Sequence, residues 1–442
     1  MSRSFVKNLL WLQVLNWAVK PLWILLIERE VQLRLGDVWY GQYYVLFNAA
    51  LLFAVVLDAG LANYTAREIA SKNAWSRPLR LFGLRLGLGA VYALLVLGLG
   101  LWQDLPLGLL LWVAGNQIMA STVLLLRAVL QGQHRFKADA ILSISDRLVA
   151  LLACSYFLWG GNFEFSALSG LQYFVAAQSL GYAASLALGL TLVLSRQPAR
   201  EDSADPQSWF SWLGSFKWYS LMALLMTLYT RLDVLLLNMW SRVGLALPEG
   251  GNVDDAPVRD SSAAFEQAGI YAQSFRLLDA ALIFTTLLST QLLPMFAKRM
   301  ANQESSDDLL KWSTRGIVVV GLVGVGIVWF VGEEILTRLY PGLYGSAAEL
   351  HNASVVFGLL MSSFLPMALV HVYGTYVTAA GELKWLSGLS AAGLLLNLAL
   401  NGYYIPLVGA AGAALSCLAT QTFFALGCWY KSRELRGLSV LG

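Results

Sequence analysis

About twelve runs of 18 or more predominantly apolar residues fill this chain, and a sequence built that way has few folds open to it. Six lie near residues 8–27, 39–61, 79–101, 105–130, 139–160 and 167–195. Six more lie near 209–240, 263–296, 314–332, 349–379, 383–404 and 407–431, several long enough to cross a bilayer only if tilted or extended beyond it. Composition agrees: 57% of the 442 residues are hydrophobic and 13% charged, where a soluble domain carries roughly a quarter charged residues. The expected fold class is an all-α membrane protein of about twelve transmembrane helices. The first apolar run is broken by Lys20-Pro21 and no small-residue cleavage site follows it, so the first helix is expected to be retained.

Basic residues orient the chain. Threaded through twelve helices, about twenty fall on the side of the N-terminus and about five opposite. Arg67, Lys72, Arg77, Arg80, Lys298, Arg299, Lys311 and Arg315 belong to the first group. Both termini are therefore expected in the cytoplasm, and the net charge of +3 is a topological signal that gives no reason to expect a nucleic-acid partner. Trp11, Trp39, Trp102, Trp209, Trp240 and Trp429 lie near expected helix ends, where an indole anchors at headgroup depth.

Several chemistries are absent. Cys154, Cys417 and Cys428 stand alone in apolar helices without metal-ligand spacing and read as packing residues. His134, His351 and His371 are equally scattered, and His371, inside a helix, reads as a satisfied imidazole rather than a proton carrier. There is no phosphate-binding glycine loop. The longest extramembrane segment, Ser241 to Ser262, is too short for a catalytic domain. A transporter built this way needs a gradient or a partner to drive it.

The polar stretch SRQPAREDSADPQS, Ser195 to Ser208, divides the helices six and six. The expected organisation is an N-terminal bundle over 1–195, a cytoplasmic linker over 196–208 and a C-terminal bundle over 209–442. The halves echo one another: WYGQYYVLFNAALLFAVVLD enters the second helix and AGIYAQSFRLLDAALIFTTLL the eighth, each with a Gly-x-Tyr element at the outer rim. Two matching bundles around a central path are one transporter solution.

Further motifs carry a resemblance. VLDAGLANYTAREIA (Val56 to Ala70), TRLDVLLLN (Thr230 to Asn238), GIYAQSFRLLDA (Gly269 to Ala280), QLLPMFAK (Gln291 to Lys298) and YYIPLVGAAGAALSCLAT (Tyr403 to Thr420) follow one another along the chain. Their order and helix positions resemble the Wzx-type polysaccharide and oligosaccharide flippases of the multidrug/oligosaccharidyl-lipid/polysaccharide superfamily. The resemblance implies two six-helix bundles in a MATE-like V around a central cavity, in a bacterial cytoplasmic (inner) membrane. It implies alternating-access export of an undecaprenyl-diphosphate-linked oligosaccharide, for O-antigen or exopolysaccharide synthesis, alongside membrane lipids and other polysaccharide assembly proteins.

Ionisable groups at membrane depth are costly and so mark function or mutual pairing. The basic ones are Lys20, Arg127, Arg147, Arg231 and Arg276, and the acidic ones Asp58, Asp146, Asp233 and Asp279. At 1.5 Å per residue, Arg276 lies about 18 Å along its helix and Arg147 about 12 Å along its own, both near mid-bilayer. Guanidinium forks match phosphate oxygens without a metal. Arg147, Arg231, Arg276 and Lys20, the last exposed by a kink at Pro21, are accordingly the candidate contacts for the diphosphate or first sugar. The alternative for Arg276 and Asp279, three apart on one helix face, is mutual neutralisation. Arg231 and Asp233, two apart, face different ways and each needs another partner. Asp146 lies next to Arg147, Arg127 reads as a snorkelling residue near a helix end, and Asp58 as a partner for Arg67 or Arg85. No cofactor is expected beyond a coupling sodium ion or proton, for which Asp233 and Asp279 are the candidates.

Three rivals compete. A cation-coupled drug or metabolite extruder of the same superfamily would favour an acidic, aromatic cavity, whereas the embedded charges here lean basic. A membrane polymerase or ligase needs a large outer loop, and a scaffold has no use for unpaired basic residues at bilayer depth.

Overall fold

The computed structural model describes residues 19, 21–58, 61–62, 65–66, 69, 78–133, 135–160, 166–195, 209–244 and 261–441. Every element among them is helical. The helices are α1 (Arg29–Leu52), α2 (Ala54–Asp58), α3 (Pro78–Trp102), α4 (Leu107–Gly132), α5 (Phe136–Ser155), α6 (Ala167–Leu194), α7 (Trp209–Gly244), α8 (Ser261–Ala301), α9 (Asp307–Leu339), α10 (Ala347–Ser362), α11 (Phe364–Ala379), α12 (Leu383–Val408) and α13 (Ala410–Leu441). Among the described residues ten segments are long and apolar enough to cross a membrane, against the expected twelve. Most of the expected first span lies outside the described residues, and its remainder joins the second in a single segment, Trp23–Asp58. That segment is broken at Gly36 (φ 70, ψ 175), a conformation glycine adopts without strain. Helix thus continues to Leu35, eight residues beyond the expected end, and resumes at Asp37. Immediately after Pro21 the chain makes a π-helical turn, Trp23–Glu28.

The chain divides into two compact units, Met1–Arg34 with Leu46–Ser220, and Leu35–Val45 with Leu221–Gly442. In the first, α4, α5 and α6 pack on one another around Ile69, Val123, Leu126, Val129, Leu130, Leu142 and Val193. The α4–α5 end of this bundle is fastened by charge. Arg127 Nε donates to Asp139 Oδ1 at 2.6 Å and Gln131 Nε2 to Asp139 Oδ2 at 2.9 Å. This corrects the reading of Arg127 as a snorkelling residue: Asp139 is buried, and a buried carboxylate needs the guanidinium. Asp58 accepts from the Ala62 N–H, while Arg85 donates to Leu57 O and Thr122 Oγ1. Asp58 also acts on Arg85 through its charge. Arg127→Ala is expected to cost about 2–3 kcal/mol, the lower side of the range for a broken buried pair because a quarter of the arginine side chain is exposed. Thermal unfolding should show that loss, and Arg127→Ala combined with Asp139→Ala should recover part of it.

In the second unit α8 packs on α10 and α11, α9 on α10 and α11, and α13 on α11 and α12. The outer surface of α9 is apolar, with Val319, Val320, Leu322, Val323 and Ile327 exposed and Phe330 90% exposed. Such a face suits acyl chains rather than water. The interior is unusually polar for a membrane bundle: Tyr40, Tyr43, Tyr44, Tyr229, Tyr271, Asn397, Asn401 and Gln273 are all buried. Cys154, Cys417 and Cys428 are free thiols and buried, and His371 Nδ1 lies 2.8 Å from Thr285 Oγ1.

The two Gly-x-Tyr elements meet. A β-carbon on Gly41 would overlap the Phe265 carbonyl oxygen, and one on Gly269 the Asp37 carbonyl oxygen. The two glycines therefore let the α1 and α8 backbones touch, as small residues do where membrane helices cross closely.

Candidate substrate and coupling site

The C-terminal unit carries two charged constellations, one basic and one acidic. In the first, Arg231 on α7 and Arg276 on α8 converge on one carboxylate. Arg276 Nη1 lies 3.5 Å and Arg231 Nη1 3.9 Å from Asp279 Oδ2. The three-residue step on α8 brings Arg276 and Asp279 to one face, and Arg231 reaches them from the next helix. Each guanidinium also lies on an aromatic face: Arg231 Cζ is 5.5 Å from the Phe275 ring centroid and Arg276 Cζ 5.1 Å from that of Tyr44, contacts that favour a cation. Arg276 is only 8% exposed. Arg231 Nη1 is buried and makes no hydrogen bond, since 3.9 Å to Asp279 is beyond hydrogen-bonding distance.

Asp233, two residues after Arg231, turns to another face, as the helical step requires. Its side chain accepts from Asn397 Nδ2 and Asn401 Nδ2 at Oδ1, both at 2.8 Å, and from Tyr271 at Oδ2, 3.1 Å. Asn397 and Asn401 are one turn apart on α12 and so project together. Asp233 is 1% exposed, and three donors offset part of the cost of burying a carboxylate. The site still holds an excess of acceptor: Asn401 Oδ1 is buried without a hydrogen-bond partner. A carboxylate beside a spare amide oxygen is an oxygen donor set that suits a hard cation or a proton. The sequence marked Asp233; the asparagines were missed, although an i, i+4 amide pair in an apolar helix was there to be read.

A third cluster was not anticipated at all. Asp37, the first residue after the Gly36 break, accepts from Gln273 Nε2, and Gln273 Oε1 accepts from the Tyr344 hydroxyl at 3.1 Å. Glu266 and Glu349 act on Asp37 through their charges.

In the N-terminal unit Arg147 lies 3.6 Å from its neighbour Asp146 and stacks on Trp23, its Cζ 5.3 Å from the ring centroid. Trp23 Nε1 donates to Glu28 Oε1 at 2.7 Å. Five residues make about one turn of π-helix, so the π turn puts those two side chains on one face. Glu28, 3% exposed, is, like Asp139, a buried acid that sequence reading passed over. Among the candidates for substrate contact, Arg231 and Arg276 are thus brought together, Arg147 belongs to the other unit, and Lys20 lies outside the described residues.

Two family models match the sequence: residues 5–300 match the family described as polysaccharide biosynthesis protein, about two thirds of the chain, and residues 264–440 match lipid II flippase MurJ. No curated protein matched by sequence. Among solved structures, an inward-facing multidrug resistance MATE family transporter of the MOP superfamily is similar at TM-score 0.70 and 10% identity, covering 97% of this chain and 98% of that one. A MOP superfamily transporter from Pyrococcus furiosus, described as having a binding pocket of reverse polarity, gives 0.65 at 11% identity, covering 96% of that chain and 98% of this one. Lipid II flippase MurJ in an inward closed conformation gives 0.63 at 12%, covering 98% of this chain and 88% of that one. At such identities these structures establish the fold, and the family match over two thirds of the chain establishes the rest: this protein belongs to the polysaccharide biosynthesis protein family, as a Wzx-type, multi-pass membrane flippase for lipid-linked glycans rather than an enzyme.

Proposed function

We propose that this protein moves a diphosphate-linked oligosaccharide on an undecaprenyl carrier from the cytoplasmic to the outer leaflet of a bacterial cytoplasmic membrane, by alternating access. The observation that carries this reading is the Arg231–Arg276 pair. Two guanidinium groups share one carboxylate, and one of them holds a buried Nη1 without a hydrogen bond. A diphosphate supplies the oxygens such a pair can chelate, at two or more negative charges. A cationic drug would meet repulsion there, which favours the flippase over the extruder reading.

Coupling belongs to the second constellation. Asp279 is engaged as the counter-charge of the arginines, so Asp233 with the amide oxygens of Asn397 and Asn401 is the group that would hold a sodium ion or proton. Neutralising Asp233 and loading Arg231 from one short stretch of α7 gives the two events a shared helix through which one can bias the other.

The test is translocation of a fluorescent undecaprenyl-diphosphate oligosaccharide in proteoliposomes. Losing charge-assisted hydrogen bonds worth about 1.5–3 kcal/mol should slow Arg231→Ala and Arg276→Ala by roughly 10- to 150-fold, with Arg231→Lys intermediate because it keeps charge and loses the fork. Native-like rates in both alanine variants would remove the arginines from the site. Extrusion of small cations by a native chain that moves no lipid-linked sugar would overturn the reading itself.

A further inference from the structure

The turn between α9 and α10 frames an open cleft with a cavity volume of about 260 Å³, lined by Thr337, Tyr340, Gly342, Tyr344, Ser346 and Leu350 among others. The α8–α9 connection carries Lys298, Arg299, Lys311 and Arg315, which places it on the cytoplasmic side. One membrane crossing later, the α9–α10 turn is on the outer side. We propose that this cavity is a saccharide-binding pocket that takes one sugar unit of the glycan as it emerges; this rests on the reading of the protein as a glycan flippase and adds a second, outer subsite to it.

Size, chemistry and charge point the same way. The cavity falls a little below the roughly 300–1,000 Å³ of drug-sized sites, which suits a single pyranose. Its lining combines the partly exposed Tyr344 ring, above a floor that includes buried Tyr340, with the hydroxyls of Thr337 and Ser346, the mixture of apolar face and hydrogen-bonding groups that a sugar ring presents in return. Thr337 Oγ1 donates to Glu333 O and Ser346 Oγ accepts from the Glu349 N–H, so Thr337 keeps acceptor capacity and Ser346 a hydroxyl proton. Gly342, at φ +74, shapes the turn. Carboxylates gather near it: Glu349 accepts from the Gly345 N–H at 2.8 Å, and Asp37 and Glu266 are close by, while Glu333 and Glu334 on the last turns of α9 are engaged by His351 and Arg338. Carboxylates accept from sugar hydroxyls and repel phosphate. Along α8, ten residues or about 15 Å separate acidic Glu266 from the guanidinium of Arg276, so the anionic and neutral parts of one substrate find different ends of the same unit. Tyr344 ties the pocket to α8 and to the start of the second α1 segment through Gln273 and Asp37.

The probe is the soluble repeat-unit oligosaccharide released by mild acid from the host's lipid-linked intermediate, titrated against the full-length chain in detergent and followed by saturation-transfer NMR. Native protein should bind it. Ala347→Trp, which fills the cavity from an exposed position, should weaken binding at least tenfold with unchanged thermal unfolding, and Thr337→Val should weaken it less. Arg231→Ala should bind the probe in this pocket as the native chain does while translocating the lipid-linked form roughly 10- to 150-fold more slowly. No binding by native protein at millimolar probe, or equal binding by Ala347→Trp and native protein, overturns the pocket even where translocation is intact. Absent translocation by the native chain, with Ala347→Trp-sensitive binding retained, upholds the pocket and sinks the flippase reading instead.

Discussion

Asp233→Asn is expected to give a folded protein whose transport no longer responds to a cation gradient. The amide keeps one oxygen where Asn397 and Asn401 donate, and the Tyr271 hydroxyl can turn to accept from the new Nδ2. The hydrogen-bonded frame survives while the charge that would hold a cation is gone. Coupling free energies between sites are typically about 1–3 kcal/mol, so gradient-driven accumulation should fall roughly 5- to 150-fold while downhill exchange persists. Asp233→Leu differs in kind. It strands two buried amide donors and a phenol, and should lower thermal stability by several kcal/mol on the order of 1–3 for each orphaned group. Sodium titration of thermal stability separates the two candidate ions: an ion that binds only the folded state raises the unfolding temperature with concentration, and that rise should vanish in Asp233→Asn. Asp279→Asn is the contrasting variant. It removes the counter-charge of Arg231 and Arg276, and should alter substrate affinity while leaving gradient dependence in place. Native gradient dependence in Asp233→Asn would reduce Asp233 to a structural residue.

How far the site could be read in advance follows from the distances involved. Arg231 and Asp233 are two residues apart and Arg276 and Asp279 three, so helical geometry alone separates the first pair and joins the second, as the structure shows. Groups that meet across 160 or more residues, such as Asp233 with Asn397, or Asp37 with Gln273, leave no such mark on a single sequence. A second kind of omission has a different cause. Apolar runs stop where a charge appears, so a first span read from hydropathy ends at residue 27 and leaves out Glu28; Asp37 falls between the first two spans for the same reason. Both lie in helix because their charges are engaged by protein, Glu28 by the Trp23 indole and Asp37 by Gln273. Lipid excludes an unpartnered charge and tolerates one that is held. Hydropathy marks where the chain must be apolar, and a helix ends only where its backbone bonds do.

Where α1 and α8 touch through their glycines, a small change should have a large effect. Gly41→Ala and Gly269→Ala each add one methyl group, and each methyl would overlap a backbone carbonyl oxygen of the opposite helix, Phe265 O or Asp37 O. A side chain can move aside and a helical backbone cannot, so α1 and α8 must separate along the crossing. Overpacking of a core costs typically about 1–3 kcal/mol; a collision with backbone belongs at or above the top of that range. Separation would also lengthen the Asp37–Gln273 contact and lift Tyr44 from Arg276, coupling the loss of stability to a loss of translocation. Glycine itself is the control. Gly316, Gly324 and Gly388 lie in helices with nothing within 4 Å of an added β-carbon, so their alanine variants should be neutral or more stable by up to about 1 kcal/mol, the helix preference of alanine over glycine. Thermal unfolding of the five single variants in detergent checks the contrast. Destabilisation confined to positions 41 and 269 would establish that the repeated Gly-x-Tyr element is a helix crossing; equal tolerance at all five would mean that α1 and α8 do not touch there.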